Sequence, residues 1–379
     1  MGSPRSYGIK TEQRLAALLD GAEAAQRLLY ARSAADRTAL RRRCKRRLVV
    51  EPLPQLFARR ARWDSLKPPD RALYVMRGLH VQHPTWTFCG PSAALAHGLP
   101  VTWKYLNTTH VIVPGTRASK LAPSGIRFHR ITRIPSPIDR DCEVDGLPLA
   151  PYWRTVFDCL VSMAEPDALA IADAALRRSG MRPLQLLRHL RAFRRGCPGK
   201  SRAMSVARLA DPTAESGGES IARSLMLKLG FEAPILQVTV PDPTRPGHSF
   251  RVDCLWFRAD GSFVFGELDG RQKSEDEEMT GGRSLVQVKH QERIRESRLT
   301  IYGARIVRFG YGDLKDEREL ARLLDSFGVP RRQGAVEGYA HTASLGSELF
   351  VADGWHVVAS RFDHAEEQAL QEEFSELKG

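Results

Sequence analysis

The chain has 379 residues, 42% hydrophobic and 27% charged, with a formal net charge of +13. That is an ordinary globular composition, long enough for two or three domains with cores of their own, and it excludes wholesale disorder. No stretch offers the long uncharged apolar run of a membrane helix, the start MGSPRSYGIK lacks a signal peptide's apolar segment, and six scattered cysteines without a CxxC pair read as reduced thiols; the expected compartment is the cytoplasm, with no membrane partner.

Charge is unevenly spread: residues 1–70 hold 16 Lys+Arg against 7 Asp+Glu, while residues 331–379 hold 4 against 9. A basic front and an acidic tail suggest a nucleic-acid-facing N-terminal region, although membrane surfaces and acidic proteins would also attract such a front. Leu15, Leu18, Leu19, Ala22, Ala25, Leu28 and Leu29 fall at three- and four-residue intervals, so residues 10–50 read as helical. A second helix is expected to begin near Ser33, with Asp36 in its first turn, and to run into RRRCKRR at residues 41–47. LVVEPLPQLFAR (residues 48–59) reads as short strands interrupted by prolines. Helices, a basic helix end and a strand pair make residues 1–69 a candidate winged helix-turn-helix, with Arg41, Arg42, Arg43, Lys45, Arg46 and Arg47 as its nucleic-acid-binding residues. A plain solvated basic face is the competing reading of residues 41–47.

Residues 70–195 read as a mixed α+β middle domain. GPSAALAHGLPV (residues 90–101) has the signature of a helix start at Pro91 and Ser92 and a stop at Gly98–Leu99–Pro100, residues 110–114 and 126–130 read as strands, and residues 144–161 pass from a strand edge into a helix. His97, His110 and His129 lack ligand spacing and read as structural histidines, and Arg154 and Asp158 as an i,i+4 ion pair. Residues 196–214 are expected to be a linker and residues 330–379 an acidic extension, in which residues 347–362 offer a strand pair.

Residues 215–329 follow the order helix, three strands, helix, strand, helix, which suits an α/β domain with a central mixed sheet. Within RVDCLWFRADGSFVFGELDGRQK (residues 251–273), Asp253, Glu267 and Asp269 lie on two adjacent apolar strands, and Lys273 follows. Carboxylates on buried strands carry desolvation and like-charge costs that call for a cation or a basic partner. Such a set fits a metal-dependent phosphodiesterase, in which carboxylates hold Mg²⁺ or Mn²⁺ and Lys273 neutralises charge developing on phosphate. The structural alternative is that Asp269–Gly270 is turn chemistry and that Asp253 pairs with Arg251.

With GESIAR (218–223), Gln237, VD (252–253), ELDG (267–270), ERIRES (292–297) and GARIVRF (303–309), the third domain resembles the very-short-patch-repair-like branch of the PD-(D/E)XK restriction-endonuclease fold, a three-layer α/β architecture. The chain before it, with SAALAHGLP (92–100) and RTVFD (154–158), is similar to AbiEi-type antitoxin-like transcriptional regulators. The first resemblance implies Asp253 and Glu267 as metal ligands, with Glu219 as a further carboxylate. It also implies a lysine two residues after Glu267, where this chain has Asp269. Either Lys273 or Lys289 then supplies the ammonium, or Asp269 is a third acidic ligand, or cleavage has been lost. Glu292 and Arg295 fall one turn apart on the next helix, Arg295 being either a phosphate contact or a tie to Glu267 or Asp269. The implied function is a double-stranded-DNA-binding protein with a Mg²⁺-dependent endonuclease domain, in phage defence or a toxin–antitoxin system. The alternative is a non-catalytic regulator like a type IV antitoxin, with a degenerate nuclease fold and a toxin partner. Fold alone does not decide between DNA and RNA.

Overall fold

Leu15, Leu19 and Ala22 are the buried stripe of α1 (Pro4–Ala24) in the computed structural model, which describes residues 4–112, 124–129, 142–192, 197–269, 285–332, 349–351 and 355–357. The chain divides into two compact units, Met1–Ser162 with Ala192–Pro198, and Met163–Arg191 with Gly199–Gly379. Both mix helices with sheet. Among the described residues no helix is long and apolar enough to cross a membrane.

In the first unit α1 is followed by β1 (Leu29–Tyr30), α2 (Ala34–Lys45), β2 (Val49–Leu53) and β3 (Leu56–Arg59). Ser33 caps α2 by accepting the Asp36 N–H on its hydroxyl, and the Asp36 carboxylate lies 2.5 Å from Arg14. The helix closes at Lys45, and Arg47 leaves it at φ +59°. β2 and β3 pair antiparallel in a sheet of order β1-β3-β2. Pro52 lies in β2 where the register with β3 shifts between Val50 and Leu53, and Pro54 lies in the turn, where Gln55 takes φ +68° and donates its N–H to Glu51 at 2.9 Å.

Then come α3 (Arg60–Ser65), α4 (Pro68–Gln82), β4 (Thr87–Phe88), α5 (Gly90–Ala96), β5 (Thr109–Ile112), β6 (Ile126–His129), β7 (Cys142–Val144), β8 (Leu147–Leu149) and α6 (Tyr152–Ser162). The strands form a five-stranded sheet of order β6-β5-β4-β8-β7. One core cluster joins Leu28 and Leu56 to Met76, Phe88, Val111 and Leu149, so it crosses the border expected between residues 69 and 70. The approach of α4 to Leu28 needs Gly78, where a Cβ would lie 2.8 Å from the Leu28 Cβ.

The second unit begins with α7 (Glu165–Ser179), α8 (Pro183–Arg191) and α9 (Lys200–Arg208). The segmentation read from sequence placed the first two in the middle domain and the third in a linker. α7 is buried from Asp167 to Leu176, and its Asp173 is bridged at 2.9 Å to Arg223 of α10 (Gly217–Lys228), which places it in this unit.

β9 (Ile235–Pro241), β10 (Ser249–Phe257) and β11 (Phe263–Asp269) then run antiparallel, and after α11 (Leu285–Leu299) the strand β12 (Arg305–Gly310) joins β11 in parallel, giving the order β12-β11-β10-β9. One core cluster gathers Leu225 and Met226 of α10 and Leu320 and Leu324 of α12 (Glu317–Phe327) against Trp256, Val264 and Phe309. Another gathers Leu299 of α11 with Val240, Leu255 and Phe265. β13 (Leu349–Val351) and β14 (Trp355–Val357) pair antiparallel as a sheet of two strands, within the stretch read as a strand pair.

Candidate functional site

Period-2 alternation should send Leu236, Val238 and Val240 of β9 to one face of the sheet. Instead Leu236 belongs to the core cluster beside α10, while Val238 and Val240 belong to the cluster beside Leu299. Between them Gln237 takes φ +54°, a left-handed conformation costly for a residue with a Cβ. On β10 the same switch separates Val252 from Cys254, with Asp253 between. Both neighbouring pairs, Val252↔Val238 and Cys254↔Leu236, keep their register, so Gln237 and Asp253 face each other at the switch.

Gln237 Nε2 donates to Glu219 Oε2 at 2.9 Å and to Asp253 Oδ1 at 3.4 Å, and its buried Oε1 has no hydrogen-bond partner among the described residues. Asp253 Oδ2 also accepts the Leu268 N–H at 3.0 Å, which ties it to β11 one residue past Glu267. Glu219 is fixed at the start of α10 by a capping box. Ser216 Oγ accepts the Glu219 N–H at 3.2 Å and donates to Glu219 Oε1 at 2.8 Å, while Oε2 accepts the Glu215 N–H at 2.9 Å. The helix start comes this close because residue 218 is glycine: a Cβ there would lie 2.8 Å from Leu268 Cδ2 and would collide with the Tyr311 hydroxyl.

Glu267 is buried and held between two guanidinium groups, Arg295 at 2.7 Å and Arg308 at 3.1 Å. Burial pushes its carboxyl above the usual carboxylate range; Arg295 and Arg308 oppose that shift, and Asp253 and Asp269 reinforce it. Arg308 extends further, 3.7 Å from Asp269 and 4.0 Å from Glu292. α10, β9 and β10 therefore deliver Glu219, Gln237 and Asp253 to one set and β11, α11 and β12 deliver Glu267, Arg295 and Arg308 to another, the two joined by the Asp253 bond to the Leu268 N–H. Among the described residues no group of three or more His, Cys, Asp or Glu side chains is arranged to hold a metal ion. The donors present are hard oxygens, which suit Mg²⁺ or Mn²⁺, but both oxygens of Glu267 are engaged by arginine.

Of the residues singled out from sequence, Glu219 and Asp253 meet through Gln237, Glu267 and Asp269 share Arg308, and Arg295 is tied to Glu267 and to the Arg251 carbonyl. Arg251 does not hold Asp253; it forms two bonds to Glu215, at 2.7 and 2.6 Å. Lys273 lies outside the described residues, as does the side chain of Lys289. Arg308 and Gln237 had been given no role. The signal for Arg308 was a charge in the apolar run IVRF on a buried strand, beside the strand carrying Glu267.

In the first unit, Arg41 is spent on a two-pronged bridge to Glu51 at 3.0 and 2.9 Å, and Arg43 on Glu12 and the Ala39 carbonyl. Arg42, Lys45, Arg46 and Arg47 are exposed. His110 Nδ1 and His129 Nε2 lie 2.9 Å apart with stacked rings, and burial lowers the His110 pKa to about 4, the neighbouring His129 and Arg127 adding to the effect. His97 meets the Ala150 carbonyl at 3.2 Å, and Arg154 bridges Asp158 at 2.8 Å, as the spacing predicts.

Set against known proteins, the chain is 33% identical over 148 residues to the uncharacterized protein MT2308 of Mycobacterium tuberculosis (strain CDC 1551 / Oshkosh) and, to the same extent, to the uncharacterized protein Rv2248 of Mycobacterium tuberculosis (strain ATCC 25618 / H37Rv). The match covers 39% of this chain and 51% of each relative, so the chain spans about half the length of the curated relatives it matches. No protein-family model matches the chain, and no solved structure matches it.

Proposed function

We propose that the protein binds DNA and hydrolyses phosphodiester bonds with the help of a divalent cation, Mg²⁺ or Mn²⁺, at the Glu219–Asp253–Glu267 cluster. The observation that carries this reading is Gln237. A left-handed glutamine in mid-strand turns its side chain onto two carboxylates from other elements and leaves a buried oxygen without a partner among the described residues. Strain of this kind persists where the surroundings impose it, and it concentrates at functional sites. Asp253, Glu267 and Glu219 would hold the cation, which supplies polarisation of the phosphate and a more acidic bound water. The capping box orients Glu219, the Leu268 N–H orients Asp253, and Arg295 holds Glu267 against β10. The α1–β1–α2–β2–β3 order supports a winged-helix reading of the basic end, in which Arg42, Lys45, Arg46 and Arg47 contact backbone phosphates.

The grip of Arg295 and Arg308 on Glu267 favours a second reading, a DNA-binding regulator with a toxin partner whose nuclease-like cluster no longer turns over. Cleavage of supercoiled and linear DNA by the wild type and Glu267→Gln, with Mg²⁺, Mn²⁺ or chelator, separates the two. Metal-dependent cleavage that falls about 100-fold or more in Glu267→Gln supports the nuclease. A silent wild type that still retains DNA supports the regulator.

A further inference from the structure

The strand register and the looseness of one guanidinium bear on which positive charge serves the scissile phosphate. β11 and β12 run parallel with Glu267 beside Arg308 and Asp269 beside Gly310. The Arg308 guanidinium reaches from Glu267, at 3.1 Å, to Asp269, at 3.7 Å. It thus lies alongside the position two residues past Glu267, where the resemblance to the restriction-endonuclease fold implies a lysine and Asp269 stands.

The two arginines on Glu267 are not equivalent. Arg295 is committed twice, to the Glu267 carboxylate at 2.7 Å and to the Arg251 carbonyl, so its guanidinium locks α11 to β10. Arg308 makes one hydrogen bond, at 3.1 Å, and is only near Asp269 and Glu292, side chains that are 57% and 50% exposed. Its buried Nε has no hydrogen-bond partner among the described residues. A planar fork that is 28% exposed and makes one hydrogen bond, at 3.1 Å to Glu267, can turn to a phosphate at the cost of that bond, because a phosphate's oxygens match its donors in pairs.

We propose that Arg308 is a catalytic residue, the cation that contacts the scissile phosphate in place of the lysine missing at Asp269. The proposal rests on the metal-dependent cleavage reading above. In the step it serves, the oxygen of water bonds to phosphorus and one water proton passes to solvent. The P–O bond to the leaving sugar oxygen breaks with its electron pair, and that oxygen takes up a proton. Arg308 stays protonated throughout and neutralises charge on the non-bridging oxygens, a contribution made in the transition state.

The test uses the full chain as wild type, Arg308→Met, Arg308→Lys and Lys273→Ala, with plasmid cleavage in Mn²⁺ and the Mn²⁺-induced rise in melting temperature read side by side. Arg308→Met is expected to lose about 100-fold in cleavage while keeping the Mn²⁺ thermal shift, with Arg308→Lys between it and the wild type. Lys273→Ala is expected to cost less than Arg308→Met, and the reverse order overturns the proposal. Loss of the Mn²⁺ shift in Arg308→Met also overturns it, because Arg308 would then only position Glu267. Should Arg308→Met fail to fold, Arg308→Lys decides: wild-type cleavage by it removes any special need for a guanidinium. A wild type that binds DNA but cleaves nothing in any metal defeats the nuclease reading itself, a result distinct from an active wild type with an equally active Arg308→Met.

Discussion

Two carboxylate–arginine contacts in the second unit look alike on paper and differ in kind. Asp173 and Arg223 are 0% and 3% exposed and join α7 to α10, with Asp173 also accepting the Asp211 N–H at 2.7 Å. Glu267 and Arg308 are 10% and 28% exposed, and Arg308 also stands 3.7 Å from Asp269 and 4.0 Å from Glu292. A sealed pair has no room for a third party, so its work is to hold the unit together. A partly exposed pair at the edge of the sheet, where β12 is the outer strand, can exchange partners. Accessibility, more than the pairing itself, separates a contact that can only hold the unit together from one that a ligand can reach.

Breaking the sealed pair should have the largest effect on stability. Asp173→Ala leaves Arg223 buried without its counter-charge and is expected to cost about 3–5 kcal/mol, read from urea unfolding. A loss of under about 1 kcal/mol would place this contact with ordinary surface pairs and dissolve the contrast.

The His110–His129 pair of the first unit extends the comparison to buried groups with no counter-charge. The folded pKa of His110, about 4, lies below its ordinary 6.5, so the unfolded chain binds the proton more readily. The associated stability is complete above pH 6.5 and lost as pH falls toward 4, on the order of 3 kcal/mol in all. Unfolding free energies measured across that range should fall less steeply in His110→Gln; parallel curves would show that the pair does not govern acid sensitivity.

The smallest effect sharpens the open site. At Gln237 both Ala and Gly delete the side-chain bonds, but only Gly relieves the left-handed backbone. Gln237→Gly should therefore be more stable than Gln237→Ala by about 1 kcal/mol. Equal stabilities would argue that the φ of +54° carries no strain.

The sequence by itself determined much of the local structure. Ser33 with Asp36 and Ser216 with Glu219 announce helix starts, because a hydroxyl satisfies orphan N–H groups within three residues. The apolar runs at residues 235–240, 250–257 and 262–268 announce strands, and Arg154 with Asp158 an ion pair, since these depend on neighbours in the chain. Asp253 and Glu267 were legible as candidate site residues because acids on apolar strands are costly. Tertiary structure decided the rest. Only chain-distant packing places α7 in the second unit through Asp173 and Arg223, fifty residues apart. Only the parallel register of β11 and β12 sets Arg308 beside Glu267, and only the crossing of β9, β10 and α10 makes Gln237 face two carboxylates. These contacts join positions with no periodic relation in sequence, so no local pattern could have announced them.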